Sequence, residues 1–242
     1  MTRAILIAAL LTLLTATMAA ASMPGVAWFS DGFTAFTDGQ KLNANPPGAW
    51  TGSGPENKIY TNQVRMRGYS GAGTSSSEAM TTGVGALSAG KLAIFHMKVR
   101  GEQGGTNPGN HAYMYLRDTT GANIAFWYGT TSSLVPRWGG TVGTAVSLSD
   151  GLWHDLDIRY NPVNGVTDWI ADGATVWTQT LTAGLAADKI SLDDTARAAS
   201  TTLYDNVWVD EVGLGTVPEP SSLLAFATFG VGALGFARRR RA

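Results

Sequence analysis

Hydrophobic and polar residues alternate with a period of two along most of the chain between residues 22 and 216. The clearest case is the stretch 111–117, where Ala112, Met114 and Leu116 share one side. Because successive side chains of a strand point to opposite faces, this pattern predicts strands that bury one face. The other predicted strands are 91–99, 123–128, 152–160, 166–171, 175–181, 189–192 and 206–212.

Turn-forming pairs separate several of the predicted strands, namely Asp150-Gly151, Asn164-Gly165 and Asp172-Gly173. Glycine and asparagine accept the left-handed backbone that tight turns need. Many short strands with almost no helical period predict an all-β domain, a two-sheet antiparallel jelly-roll sandwich over residues 22–216. We expect Trp153, at the start of a well-patterned strand, to be largely buried in the core of this domain.

Residues 217–242 show a different, three-part pattern. Two prolines keep the chain extended at Pro218, Glu219 and Pro220, and a helix can start only after them. The apolar run 223–237 predicts a short helix of about 22 Å, which is less than the ~30 Å hydrocarbon core of a bilayer. The block Arg238, Arg239, Arg240 and Arg241 predicts a membrane stop signal on the cytoplasmic side. The alternative is a plain single-pass anchor.

This tail closely resembles the PEP-CTERM sorting signal of Gram-negative bacteria. The resemblance implies processing by an exosortase, a membrane-embedded cysteine protease-transpeptidase, with Pro218, Glu219 and Pro220 as the recognition element. It also implies that the C-terminal transmembrane helix makes the membrane a transient partner. The expected destination is the cell envelope or the extracellular matrix of a bacterium that makes exopolysaccharide or biofilm.

Residues 1–21 predict a secretory signal peptide. Arg3 supplies the positive start, residues 4–17 are apolar, and Ala19, Ala20 and Ala21 are the small residues that precede cleavage. We therefore expect export through the general secretory route and an inner-membrane intermediate.

Charge and composition exclude some functions. The chain has 17 basic and 18 acidic residues, but five of the basic residues and Glu219 lie in the terminal segments, which leaves a net charge of about −5 for residues 22–216. Nucleic acid is not an expected partner, because phosphate binding needs a basic surface. The chain has no cysteine, and His96, His111 and His154 show no metal-ligand spacing.

The segment 150–177 resembles the core of a concanavalin A-like or laminin-G-like jelly roll. The resemblance lies in the order of Gly151, Trp153 and His154, a hairpin at Asn164-Gly165, and a strand that ends at Asp172-Gly173. Related domains often carry calcium, and Asp118, Asp172 and Asp205 are oxygen donors near turns. None of them forms a dense calcium loop, so we assign no metal ligand and no cofactor.

The carboxylates do not predict an enzyme. Retaining glycosidases need two carboxylates about 5 Å apart, and the nearest candidate is Asp155-Leu156-Asp157, which has no glutamate. The adjacent pairs Asp193-Asp194 and Asp210-Glu211 would point to opposite faces of a strand.

The candidate ligand contacts are aromatic: Tyr113, Tyr115, Trp127 and Trp138. The alternative for these residues is that they pack the second sheet of the sandwich. The sequence therefore predicts an exported envelope or matrix protein whose jelly roll has a structural or adhesive role. A carbohydrate-binding module for exopolysaccharide is the first alternative, and a divergent glycoside hydrolase is the second.

Overall fold

The computed structural model describes residues 26–44, 50–53, 57–66, 75–81, 91–102, 110–130, 132–196 and 207–218. In this part of the chain the structure is a sandwich of two antiparallel eight-stranded sheets, which confirms the predicted fold class. The strands are β1 (Val26–Asp31), β2 (Thr51–Ser53), β3 (Lys58–Tyr60), β4 (Gln63–Met66), β5 (Ser75–Thr81), β6 (Lys91–Gly101), β7 (Asn110–Asp118), β8 (Asn123–Gly129), β9 (Ser133–Trp138), β10 (Thr141–Val142), β11 (Val146–Ser147), β12 (His154–Tyr160), β13 (Val166–Ala171), β14 (Ala174–Thr180), β15 (Ala187–Ala196) and β16 (Val207–Pro218).

Each sheet mixes strands from distant parts of the chain. Sheet A has the order β14-β13-β12-β6-β16-β4-β3, with β1 beside β16. Sheet B has the order β10-β9-β8-β7-β15-β5-β2, with β11 beside β9. A 3₁₀ turn, Leu42–Ala44, is the helical element among the described residues. Nowhere in the described ranges is there a helix long and apolar enough to cross a membrane.

The core lies between the inner faces of the two sheets. Sheet A contributes Phe95, Met97 and Ile158, and sheet B contributes Met114 and Leu116, all of them fully buried. These residues occupy alternate positions of their strands, as the sequence period predicts.

A tryptophan of sheet A joins the two layers. The Trp169 side chain is fully buried, and its indole Nε1 donates a 3.1 Å hydrogen bond to the Phe126 carbonyl oxygen of sheet B. Its ring also packs on Trp177, with 4.6 Å between the ring centroids. Trp169 therefore combines apolar packing with a polar tie between the sheets.

The expectation that Trp153 is largely buried was wrong. The strand begins two residues later than expected, at His154, and Trp153 is only half-buried. Leu156 and Ile158 point into the core. Trp153 is an odd number of residues from both, so it lies on the outward face of the sheet together with Asp155. The Arg100 guanidinium lies 4.8 Å from its ring centroid and covers it from solvent.

Two of the predicted hairpin turns can be compared directly. Gly165 and Gly173 both have a left-handed backbone, with φ of 75° and 81°. A Cβ on Gly165 would lie 2.1 Å from the Leu181 carbonyl oxygen, whereas a Cβ on Gly173 would meet nothing within 4 Å.

Gly165→Ala should therefore destabilise the fold by about 3 kcal/mol or more, because it adds a backbone clash to the conformational strain. Gly173→Ala, the matched control, should cost about 1 kcal/mol from strain alone. Urea unfolding of both variants measures the difference, and equal losses would contradict the close approach at Gly165.

Candidate functional site

The outer face of sheet B, which points away from the core, carries a cluster of aromatic side chains. The register pairs Tyr113 of β7 with Tyr128 of β8, and Tyr115 with Phe126. Because directly opposed residues of two strands point the same way, the four rings lie on one face. We call this surface the aromatic face; its residues are Tyr113, Tyr115, Phe126, Tyr128, Arg117 and Arg137.

The rings of the aromatic face touch one another. Tyr113 and Tyr115 are stacked with 5.7 Å between centroids and 4° between ring planes. Tyr113 and Tyr128 are 4.8 Å apart, and Tyr115 and Phe126 are also 4.8 Å apart. All four side chains are half-buried, so the edges and faces of the rings that do not touch remain open to solvent.

Two arginines flank the rings. The Arg117 guanidinium lies 4.5 Å from the centroid of Tyr115, and that of Arg137 lies 5.1 Å from the centroid of Tyr128. Arg117 also pairs with Asp193 at 2.8 Å, and Asp193 accepts a hydrogen bond from Ser191. The Nε atoms of both arginines are buried and have no hydrogen-bond partner among the described residues. The aromatic face thus combines flat apolar surfaces with the guanidinium groups of two half-buried arginines.

The environment of Tyr115 keeps its hydroxyl protonated. Burial raises its pKa, and the nearby Asp193 carboxylate raises it further. A protonated hydroxyl can donate a hydrogen bond to a ligand as well as accept one.

The structure brings together only two of the four aromatic residues that the sequence suggested as ligand contacts. Tyr113 and Tyr115 lie side by side on the aromatic face. Trp127 points to the opposite side of β8 and is fully buried in the core, so it is withdrawn as a ligand contact. Trp138 follows Arg137, faces the other way, and is 38% exposed at the tip of the β9–β10 hairpin.

Sequence reasoning missed Phe126, Tyr128 and Arg137. Alternation along residues 123–128 already placed Phe126 and Tyr128 on one side of a strand. Their pairing with β7 depends on register, which the sequence does not specify.

Of the carboxylates considered for hydrolysis, Asp193 borders the aromatic face, opposite Tyr113 in the register, and the others lie away from it. Asp157, on the outer face of sheet A, is buried and accepts from His96 Nδ1 at 2.7 Å and from Arg159 at 3.2 Å. Asp210 lies 3.9 Å from Lys98. Asp193 pairs with Arg117 as described, and Asp194 is buried on the core side of β15.

The two described aspartates considered for calcium already accept hydrogen bonds from protein groups. Asp118 accepts hydrogen bonds from Thr120 and Ala122, and these bonds outweigh its burial and lower the pKa of its carboxyl group. Asp172 accepts from His154 Nδ1 at 2.8 Å, while Asp205 lies outside the described residues. In the described part of the chain, no three His, Cys, Asp or Glu side chains are arranged to hold a metal ion.

Comparison with known families gives a match at the C-terminal end of the sequence. The PEP-CTERM protein-sorting motif matches residues 216–241, which contain Pro218, Glu219, Pro220 and the four arginines. No curated protein sequence matches the chain. The motif indicates an exported protein sorted to the cell envelope, and it implies processing by an exosortase.

Comparison with solved structures shows the fold. A sialidase superposes with a TM-score of 0.54 at 8% identity, over 71% of this chain but only 17% of the sialidase. The carbohydrate recognition domain of Emp47p superposes with a TM-score of 0.54 at 7% identity, over 82% of this chain and 99% of that domain. The Bacillus licheniformis β-glucanase gives 0.51 at 11% identity, over 77% and 97%.

These structures share an architecture with the chain, and their low identities carry no argument about activity. The chain therefore contains an all-β domain with the concanavalin A-like jelly-roll fold, followed by a PEP-CTERM protein-sorting motif at residues 216–241.

Proposed function

We propose that this protein is an adhesive component of the cell envelope or extracellular matrix that binds a polysaccharide on its aromatic face. An exosortase releases it from its C-terminal segment after export through the signal peptide, residues 1–21. The observation that carries the binding proposal is the stacked pair Tyr113 and Tyr115, with Arg117 beside them.

The chemistry of the aromatic face suits a sugar chain. Sugar rings have apolar C–H faces that pack on aromatic rings, and their hydroxyl groups need hydrogen-bond partners. The tyrosine rings supply the first kind of contact. The Tyr115 hydroxyl and the guanidinium groups of the half-buried Arg117 and Arg137 supply the second. Several neighbouring rings on a sheet face allow contact with more than one sugar of a chain.

We propose binding without hydrolysis. The two carboxylates nearest to a glycosidase pattern are Asp155 and Asp157, and Asp157 is engaged by His96 and Arg159. Hydrolysis needs one carboxyl group that is free to donate a proton and a second that attacks or activates water. A reducing-sugar assay on the polysaccharides that bind is expected to show no release.

The comparisons supply context for this proposal. One structural neighbour is a carbohydrate recognition domain and another is a β-glucanase, so the same architecture holds sugars in other proteins. Fold likeness alone does not select between these roles. The selection rests on the side chains of the aromatic face.

The binding test uses residues 22–218, because a fragment that ends at 216 would remove the last two residues of β16. A panel of soluble neutral and acidic polysaccharides is screened by affinity electrophoresis. For a polysaccharide that binds, Tyr115→Ala is expected to weaken binding about tenfold, equivalent to about 1.4 kcal/mol. The reason is the loss of a stacking surface and a hydroxyl donor at the centre of the face.

Tyr60→Ala is the matched control for Tyr115→Ala. Tyr60 is also half-buried and also lies under an arginine, Arg65 at 4.3 Å, but it belongs to sheet A. It should leave binding unchanged. No binding to any member of the panel, or equal losses in the two variants, would count against the aromatic face as a glycan site.

A further inference from the structure

Both terminal segments leave the sandwich at the same place. Val26, the first residue of β1, pairs with Thr216 of β16, and Pro218, the last residue of β16, pairs with Lys91 at the start of β6. The residues before 26 and after 218 therefore begin at one end of sheet A. We call this end of the sandwich, where β1 and β6 begin and β16 ends, the exit end.

The spacer between the exit end and the apolar run is short. Four residues, Glu219 to Ser222, separate Pro218 from the start of the run at Leu223. Four residues span at most about 14 Å when fully extended. The headgroup region on each side of a bilayer is about 5–8 Å thick. Once the apolar run is inserted, the exit end is held at or close to the headgroups.

Other loops of the same end can be placed from the register. Tyr160 at the end of β12 pairs with Ala93 near the start of β6, so the β12–β13 loop, residues 161–165, lies at the exit end. The end of β14 lies at the exit end too, and residues 181–186 connect it to the start of β15 in sheet B. The start of β15 pairs with the end of β7, and the β9–β10 hairpin lies at this same end of sheet B.

The exit end exposes apolar side chains. Among the described residues four large hydrophobic side chains are exposed, and three of them lie here: Trp138 at 38%, Val142 at 57% and Val163 at 62%. The fourth, Leu152 at 63%, precedes β12 at the opposite end. Single exposed hydrophobic residues are ordinary, but three on the end where the chain leads into the apolar run form a surface suited to lipid.

The charged residues of the exit end also suit an anionic partner. Lys91 and Lys189 lie at the exit end, and the two aspartates there, Asp118 and Asp188, are buried at 9% and 6% exposure. The loops 138–142, 161–165 and 181–186 contain no acidic residue.

The opposite end carries exposed carboxylates, and Arg100 lies beside them over Trp153. Asp150 and Asp172 are exposed there, and both contact the His154 ring. Although burial of that ring opposes protonation, the hydrogen bonds to Asp172 and Asp150 outweigh it and raise the pKa of His154. An anionic membrane attracts a basic end and repels an acidic one.

We infer that the exit end is a membrane-docking surface whose partner is an anionic phospholipid bilayer. Val163, Trp138 and Val142 enter the headgroup layer, while Lys91 and Lys189 lie next to lipid phosphates. Docking places Pro218 at the bilayer surface, where a membrane-embedded protease can reach it. The inference rests on the proposed export function in one respect, which is that the apolar run inserts before it is released.

The test uses the absence of native cysteine. Val163→Cys and Leu152→Cys are made in the chain from residue 22 to 242, and each is labelled with an environment-sensitive fluorophore. The two positions are matched, with 62% and 63% exposure at opposite ends. The proteins are reconstituted in vesicles of phosphatidylethanolamine and phosphatidylglycerol that contain a headgroup-level quencher lipid. Quenching at Val163→Cys is expected to exceed that at Leu152→Cys about threefold or more.

Two further experiments test whether the partner is an anionic bilayer. Replacing phosphatidylglycerol with phosphatidylcholine, or combining Lys91→Glu with Lys189→Glu, should reduce quenching at Val163→Cys. Equal quenching at the two positions would overturn the inference. Quenching that appears only in membranes containing host proteins would overturn it in favour of a protein-docking surface. Failure of the chain to float with the vesicles would also overturn it, whereas loss of glycan binding or of processing leaves these readouts unaffected.

Discussion

Trp169→Ala should lower the free energy of unfolding by about 3–5 kcal/mol, a large share of the stability of an ordinary domain. The indole is fully buried, packs on Trp177, and donates the hydrogen bond to Phe126 that joins sheet A to sheet B. Alanine removes both contributions and leaves a cavity between the sheets. It also leaves the Phe126 carbonyl without its indole donor. Urea unfolding at constant pH measures the loss.

Two further substitutions separate the contribution of the hydrogen bond from that of packing, and a core tryptophan from a surface one. Trp169→Phe keeps most of the packing but not the donor, so it should cost about 1–2 kcal/mol. Trp153→Ala removes an indole of the same size from a half-buried position under Arg100, and it should cost about 1 kcal/mol. If Trp153→Ala proved as damaging as Trp169→Ala, the assignment of these two tryptophans to surface and core would be incorrect.

Replacing Pro218, Glu219 and Pro220 together with alanine should abolish release of the C-terminal segment in the native host. Alanine is the best helix former, so the helix predicted for the apolar run could extend upstream into residues that the prolines are expected to keep extended. The change also removes the triplet that we propose as the recognition element of the sorting motif, which matches residues 216–241. The full-length form should then accumulate in the inner-membrane fraction, as measured by intact-mass spectrometry.

Ser221→Ala with Ser222→Ala is the matched control for the sorting prediction. It makes a similar change in composition directly after the triplet but leaves Pro218, Glu219 and Pro220 in place. It should be processed like the wild type. Recovery of Arg238 to Arg241 on mature wild-type protein would refute processing and leave the plain anchor.

The sorting motif overlaps the last strand of the domain. The matched region begins at residue 216, within β16, and Pro218 still pairs with Lys91. The domain therefore ends inside the motif, with no linker between the sheet and the first proline. The helix after Pro220 stays a prediction, because residues 219–242 lie outside the described part of the chain. The boundary at 216 also stays a prediction, and β16 continues two residues beyond it.

The sequence by itself determined the fold class and the sorting motif. Alternation at Ala112, Met114 and Leu116 predicted one buried face, and the structure buries all three. This succeeds because a strand's side-chain period is a local property of the backbone. The tail could also be identified from sequence, since a proline pair, an apolar run and an arginine block act through local conformation and partition between water and lipid.

The tertiary structure decided which residues meet. Trp127 and Trp138 were grouped with Tyr113 and Tyr115 by residue type, yet Trp127 lies in the core and Trp138 at a hairpin tip. Phe126 and Arg137 joined the tyrosines through the registers of β7 with β8 and of β8 with β9. The exit end was likewise invisible in sequence, because it depends on Val26 pairing with Thr216, nearly the whole domain away. Register and strand order follow from how the two faces pack against each other, and that is a property of the whole chain rather than of any segment.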